Sequence, residues 1–172
     1  MAVHEYKLDM EGDKFLSPHF QVKEFRSYND GTRHLYSNEV QIDDELVQKL
    51  EKLFETLNCS IIHINSGYRT LEHERILGGN GKGQHVKGKA ADIVCYDRQK
   101  NVIPAQIVCC VAQDIGFRGI ANISTRYRAV HVDVRDTGSY LGDETKGYSS
   151  VCKSFRNYFN VEESDIQKYT NK

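Results

Sequence analysis

The run Val130-His131-Val132-Asp133-Val134-Arg135 alternates apolar and polar residues without a break, and no other segment limits the fold so tightly. Successive side chains of a strand point to opposite faces. A strand here turns its three valines to one side and His131, Asp133 and Arg135 to the other. One face packs, and the other presents an imidazole, a carboxylate and a guanidinium. Upstream, Lys89-Ala90-Ala91-Asp92-Ile93-Val94-Cys95 surrounds a single carboxylate with small or apolar residues. That pattern reads as a largely buried strand, in which an unpaired Asp92 would cost several kcal/mol and a bound cation would remove the cost.

His85 completes a set. It precedes Asp92 in Gly83-Gln84-His85-Val86-Lys87-Gly88, and the flanking glycines allow a tight bend that brings its ring over the Asp92 strand. Two imidazoles and one carboxylate, from His85, Asp92 and His131, suit one divalent metal. Catalytic zinc is held by three protein ligands with a position left open, whereas structural zinc is closed by four ligands rich in Cys. The expectation is a metallohydrolase centre.

With 172 residues the chain can build one well-buried core but not two full domains. Its 23 Lys+Arg against 24 Asp+Glu leave no charge excess to attract nucleic acid or an anionic membrane. No stretch approaches the ~18 apolar residues of a membrane span, and Met1 to Lys7 lacks the apolar core of a signal peptide. Synthesis in the cytoplasm without membrane insertion is expected. The five cysteines, Cys59, Cys95, Cys109, Cys110 and Cys152, fit neither a zinc ribbon nor a disulfide framework and read as reduced, mostly buried thiols.

Residues 1–19 read as an irregular lead-in, 20–160 as the domain and 161–172 as a tail. Leu46, Leu50, Leu53, Phe54 and Leu57 recur at helical spacing behind Asp43 and Asp44, which predicts a helix over 43–57. A strand over 61–65 and a helical turn over 72–77 follow. Gly78 to Gly83 resembles a phosphate loop only superficially, because Lys82 is followed by Gly83 and not by Ser or Thr. Pro104 opens a helix ended by Gly116, Phe117 to Ile123 forms a strand, and Ser149 to Phe159 forms a last helix. Mixed helices and strands with a turn between the late strands give an α+β class: a small single domain whose mainly antiparallel sheet carries the metal site and is packed by helices.

Ser66-Gly67-Tyr68-Arg69-Thr70, Gly78-Gly79, Gln84 to Ile93 and His131 to Arg135, in this order and spacing, resemble the zinc D-alanyl-D-alanine carboxypeptidases and L-alanyl-D-glutamate endopeptidases of bacterial cell walls and phage endolysins. The Hedgehog signalling domain shares that fold. The resemblance covers about residues 20 to 136. It implies a small α+β domain with one zinc ion on an antiparallel sheet, held by His85, Asp92 and His131. It also implies Arg69 as the arginine that contacts substrate near the metal, and peptidoglycan stem peptide as the substrate, reached at the cell wall by lysin-like release or after removal of a leader.

Two positions depart from the pattern. Many members carry Ser where this chain has Gly83, and characterised members often carry a general-base Glu where it has Arg128. A base lost from such a site typically costs ~10²–10⁴-fold in rate. Asp133 is the nearest acidic group in sequence, on the face of His131, and suits either the base or a supporting role; Glu72, His73 and Glu74 are further candidates. Arg126, Arg128 and Arg135 cluster around His131 as possible partners for substrate carboxylates, although strict alternation puts the first two on the opposite side. A zinc-binding module without catalysis, recognising cell-wall peptide or a protein partner, is the alternative function. Which peptide bond is cut, and the oligomeric state, leave no sequence signal.

Overall fold

The computed structural model describes residues 1–170. In chain order the elements are β1 (Val3–Lys7), α1 (Leu8–Glu11), β2 (Phe15–Ser17), β3 (Phe20–Gln21), β4 (Tyr28–Asn29), β5 (His34–Leu35), β6 (Glu39–Asp43), α2 (Asp44–Thr56), β7 (Ile61–Ser66), α3 (Leu71–Ile76), β8 (Ala90–Tyr96), α4 (Ala105–Ile115), β9 (Gly119–Ser124), β10 (Ala129–Asp133), β11 (Tyr140–Asp143), α5 (Phe155–Phe159) and α6 (Glu163–Thr170). The class is α+β. A five-stranded sheet runs in the order β11-β9-β10-β8-β7. Of its described pairings, β9 with β10 is antiparallel and β9 with β11 is parallel. By backbone contacts the chain divides into two compact units, residues 1–51 with 64–91, and residues 52–63 with 92–172.

In the first unit β1 lies antiparallel along β6, from Val3 opposite Asp43 to Lys7 opposite Glu39. Phe20, Val22, Phe25, Val40, Ile42, Leu46 and Leu50 are buried and make its core. Asp43 precedes α2 and caps it, its Oδ1 accepting from Glu45 N–H at 2.8 Å, as the Asp-Asp pair at the helix start predicts. The bend carrying His85 is tied down at Gly88, which sits at φ +70° and accepts from Asp43 N–H at 2.9 Å. A Cβ at Gly88 would come within 2.5 Å of the Gln41 carbonyl oxygen, so glycine is needed for closeness as well as for its dihedral.

The second unit is built on β9, β10 and β11. Val130, Val132 and Val134 are each 0 % exposed, as the alternation predicts. Helix α4 buries Ile107, Val108, Cys109, Cys110 and Val111 and stops at Gly116, whose φ of 94° is left-handed. All five cysteines are free, and burial raises the pKa of Cys109 well above its ordinary value. The adjoining pair of α4 is core, as expected.

Three local expectations need correction. Residues 1–19 are not an irregular lead-in, since β1, α1 and β2 fall there. The side chains of β1 are exposed or half-buried along its length, so it carries no apolar alternation to read; its backbone ladder to β6 makes it a strand. The last helix does not begin at Ser149. Val151 N–H donates to the Leu141 carbonyl at 2.8 Å and Ser150 bridges Gly142, so this stretch runs extended beside β11, and α5 starts only after Ser154. Residues 163–170 of the expected tail form α6 with Ile166 buried, and residues 171–172 of that tail lie outside the described residues.

Candidate metal centre

One ligand atom from each of His85, Asp92 and His131 can be chosen so that all three lie within 4.8 Å of one another. His131 Nδ1 and Asp92 Oδ1 stand 3.0 Å apart. Two ligands of one tetrahedral zinc, with bonds of about 2.0–2.1 Å, stand about 3.3 Å apart. This pair, now joined by a hydrogen bond, stands within a few tenths of an ångström of that spacing.

The local folding of each residue explains its orientation. The His85 carbonyl accepts from Arg69 N–H at 3.1 Å and Gly88 N–H at 3.2 Å, which fixes the backbone of the bend. Its ring donates from Nδ1 to the Gly67 carbonyl at 2.6 Å. With the proton on Nδ1, the lone pair sits on Nε2. A Cβ at Gly67 would meet the Phe25 backbone at 2.7 Å, so glycine is what lets this carbonyl take up its place.

Asp92 is the half-buried residue of an otherwise buried run in β8, a little more open than the buried carboxylate expected. His131, in β10, is hydrogen bonded at both nitrogens: Nδ1 to Asp92, and Nε2 to Asp133 Oδ2 at 2.9 Å. Burial acts to lower its pKa, but the two carboxylates overcome this and raise it to about 9. The surroundings thus favour positive charge at this ring, and a metal cation can replace the Nδ1 proton while Nε2–H stays on Asp133. A ligating histidine whose other nitrogen donates to a carboxylate is the usual support for a metal site. The donor set fits zinc.

Asp133 is 0 % exposed. Burial acts to raise its pKa, but the Arg135 guanidinium and His131 outweigh that and hold the carboxyl well below the usual carboxylate range. Arg135 Nε donates to Oδ1 at 2.9 Å and Nη2 to Oδ2 at 2.5 Å. The same guanidinium stands 5.4 Å from the Tyr140 ring centre, and Arg118 donates to the Arg135 carbonyl. Asp133 lies across the ladder from Gly119, where a Cβ would fall inside its carboxylate. Sequence alternation foresaw that His131, Asp133 and Arg135 share a face; the part of Gly119 has no signal of its own.

The other candidates separate. Arg128 lies in the turn between β9 and β10 at φ 50°, exposed, and donates to the Val102 carbonyl at 3.3 Å. Arg126 is exposed beside Tyr127. Glu72 is exposed, whereas His73 is buried with Nδ1 at 3.0 Å from Ser27 Oγ and its ring stacked on Tyr36. Arg69 donates from Nε to Ser66 Oγ at 2.9 Å and from Nη1 to Glu74 Oε2 at 3.2 Å.

Asp92 and His131 on the sheet and His85 in the bend before β8, each imidazole with an acceptor on its far nitrogen, form a group that could hold a metal ion. A family model described as peptidase M15 matches residues 18–133, well over half of the chain, and the chain belongs to that family. It is a metallopeptidase of a zinc-dependent, D-Ala-D-Ala carboxypeptidase and endopeptidase type of family, as the motif resemblance implies. No curated protein matches the chain. No helix among the described residues is long and apolar enough to cross a membrane.

Proposed function

We propose that this chain is a zinc peptidase that hydrolyses a peptide bond in peptidoglycan stem peptides, as a carboxypeptidase or endopeptidase acting at the cell wall. The observation that carries the proposal is the pair of supported imidazoles, His85 on the Gly67 carbonyl and His131 on Asp133, grouped with Asp92. When bound there, zinc supplies a Lewis acid for the scissile carbonyl and lowers the pKa of a water toward about 7. His85, Asp92 and His131 hold the ion. Arg69 takes a substrate carboxylate in its fork, or the oxyanion as charge develops. Asp133 keeps the imidazole of His131 in register; a carboxylate so buried and so tied to Arg135 serves the ligand better than it would accept a proton from water.

The test is to incubate zinc-loaded protein with purified peptidoglycan and look by mass spectrometry for new amino termini or released D-Ala. New termini inside the stem identify an endopeptidase, and free D-Ala a carboxypeptidase. A second function, a zinc-binding module that recognises cell-wall peptide without cutting it, draws on Arg128. The residue at the usual base position is an arginine whose side chain donates to Val102. Retention of the protein on peptidoglycan with one zinc per chain and no new termini would select that function.

A further inference from the structure

We infer that Glu74 is a positioning residue for Arg69, and that Gly83 belongs to the same device; the role of Arg69 in binding substrate rests on the peptidase proposal above. Glu74 is only 7 % exposed, yet it carries a carboxylate. Exchanging a buried ion pair for apolar groups is often neutral or stabilising, so stability alone explains this pair poorly. Its geometry explains it better. Ser66 holds Arg69 at Nε and Glu74 holds it at Nη1, and two fixed points define the plane of a guanidinium.

The neighbouring loop is closed onto the carboxylate. Gly79 N–H donates to the Glu74 carbonyl at 2.9 Å. A Cβ at Gly79 would stand 2.5 Å from Glu74 Oε1, and one at Gly83 would stand 2.8 Å from the same oxygen. A side chain at either glycine would press on the Glu74 carboxylate where Arg69 now holds it. Gly83 is also the position where relatives by motif carry Ser. One oxygen of the Glu74 carboxylate stands too close for a Cβ at Gly83 unless that carboxylate shifts away from Arg69, so Glu74 and Gly83 form a matched pair.

The experiment compares wild type with Glu74→Gln, Glu74→Ala, Gly83→Ser, and the double variant Gly83→Ser with Glu74→Ala, using the full zinc-loaded chain. The Arg69 Nε–H resonance, assigned through its loss in Arg69→Lys, reports whether the guanidinium is held. In Glu74→Gln we expect hydrogen exchange at this Nε–H to accelerate by ~10-fold or more, following the open population of the site, with zinc still at one per chain. Gly83→Ser should show the same acceleration together with a lowered Tm, and because the clash is gone once Glu74 is shortened, the double variant should lose less Tm than the sum of the losses of Gly83→Ser and Glu74→Ala measured singly. If wild type cuts a stem peptide, Glu74→Gln should raise KM by ~10- to 100-fold while kcat changes little. An Arg69 resonance indifferent to Glu74→Gln, or Tm losses that simply add in the double variant, overturns the inference. Absence of peptide cleavage by wild type would reject the peptidase proposal, while the resonance and Tm would still decide the Glu74 pairing.

Discussion

His131 and Asp133 stand two residues apart on β10 and are joined by a 2.9 Å hydrogen bond from Nε2 to Oδ2. Side chains at i and i+2 of a strand share a face but their backbones are about 6.6–7 Å apart, so the contact requires both to lean together. What draws Asp133 into place is Arg135, a further two residues on, whose fork takes both carboxylate oxygens. His131, Asp133 and, just past the end of β10, Arg135 thus form a relay of support ending on the imidazole of a candidate metal site.

Asp133→Asn should bind zinc more weakly by ~10–100-fold, the usual effect of removing an outer partner of a ligating histidine. It should also lower stability by about 3 kcal/mol, because the Arg135 guanidinium loses its charged partner. Chelator competition measures the first and denaturant unfolding the second. Unchanged zinc affinity with turnover abolished would assign Asp133 to the chemistry instead.

Gly119→Ala should produce the same zinc phenotype from the opposite strand. Its backbone needs no special dihedral, so the effect is steric: the new methyl and the Asp133 carboxylate compete for one place. Overpacking of this kind costs about 1–3 kcal/mol. An alanine variant with wild-type zinc affinity would show that Asp133 can move without consequence for His131.

His85→Ala should lose more zinc affinity than Asp133→Asn, since it removes a ligand and not its support. Chelation should lower the Tm of wild type and leave that of His85→Ala unchanged. A metal present at 100 times its Kd stabilises the folded state by about 2.7 kcal/mol, and that contribution disappears with the site. Equal Tm shifts in the two proteins would place the metal elsewhere.

The strands and ligands legible in the sequence were those whose side chains carry the signal. Val130 to Arg135 alternates because one face packs and the other carries the polar side chains, and α2 declares itself through Leu46, Leu50, Leu53 and Phe54. β1 shows no such pattern because its backbone, not its side chains, joins it to β6. The same holds at the centre. His85, Asp92 and His131 are visible as residue types, but the Gly67 carbonyl that orients His85 is a backbone atom any residue possesses. Glu74 stood beside Glu72 and His73 as a candidate after Arg69, and its burial, its bond to Arg69 and the approach of Gly79 and Gly83 distinguish it.

Acid should loosen the packing of α5 through Asp143. Its buried carboxylate accepts from Thr145 Oγ1 at 2.6 Å, from Tyr158 O–H at 2.9 Å and from Asn122 Nδ2 at 3.3 Å. Burial alone would raise its pKa, but the Thr145 and Tyr158 hydrogen bonds and the Lys146 charge more than compensate, leaving it below the ordinary value of 3.8. A carboxyl depressed on folding contributes stability that is fully present above its unfolded pKa and is lost as pH falls through the folded one. The contribution is therefore intact at neutral pH and disappears below about pH 4. Tyr158→Phe removes one of these donors and should cost about 1.5–3 kcal/mol at pH 7, as hydrogen bonds to charged groups do. The cost should shrink as Asp143 is protonated, so the difference in unfolding free energy between wild type and Tyr158→Phe should narrow from pH 7 to pH 3. A difference that stayed constant over that range would mean that the phenol stabilises α5 by packing and not through its bond to the carboxylate.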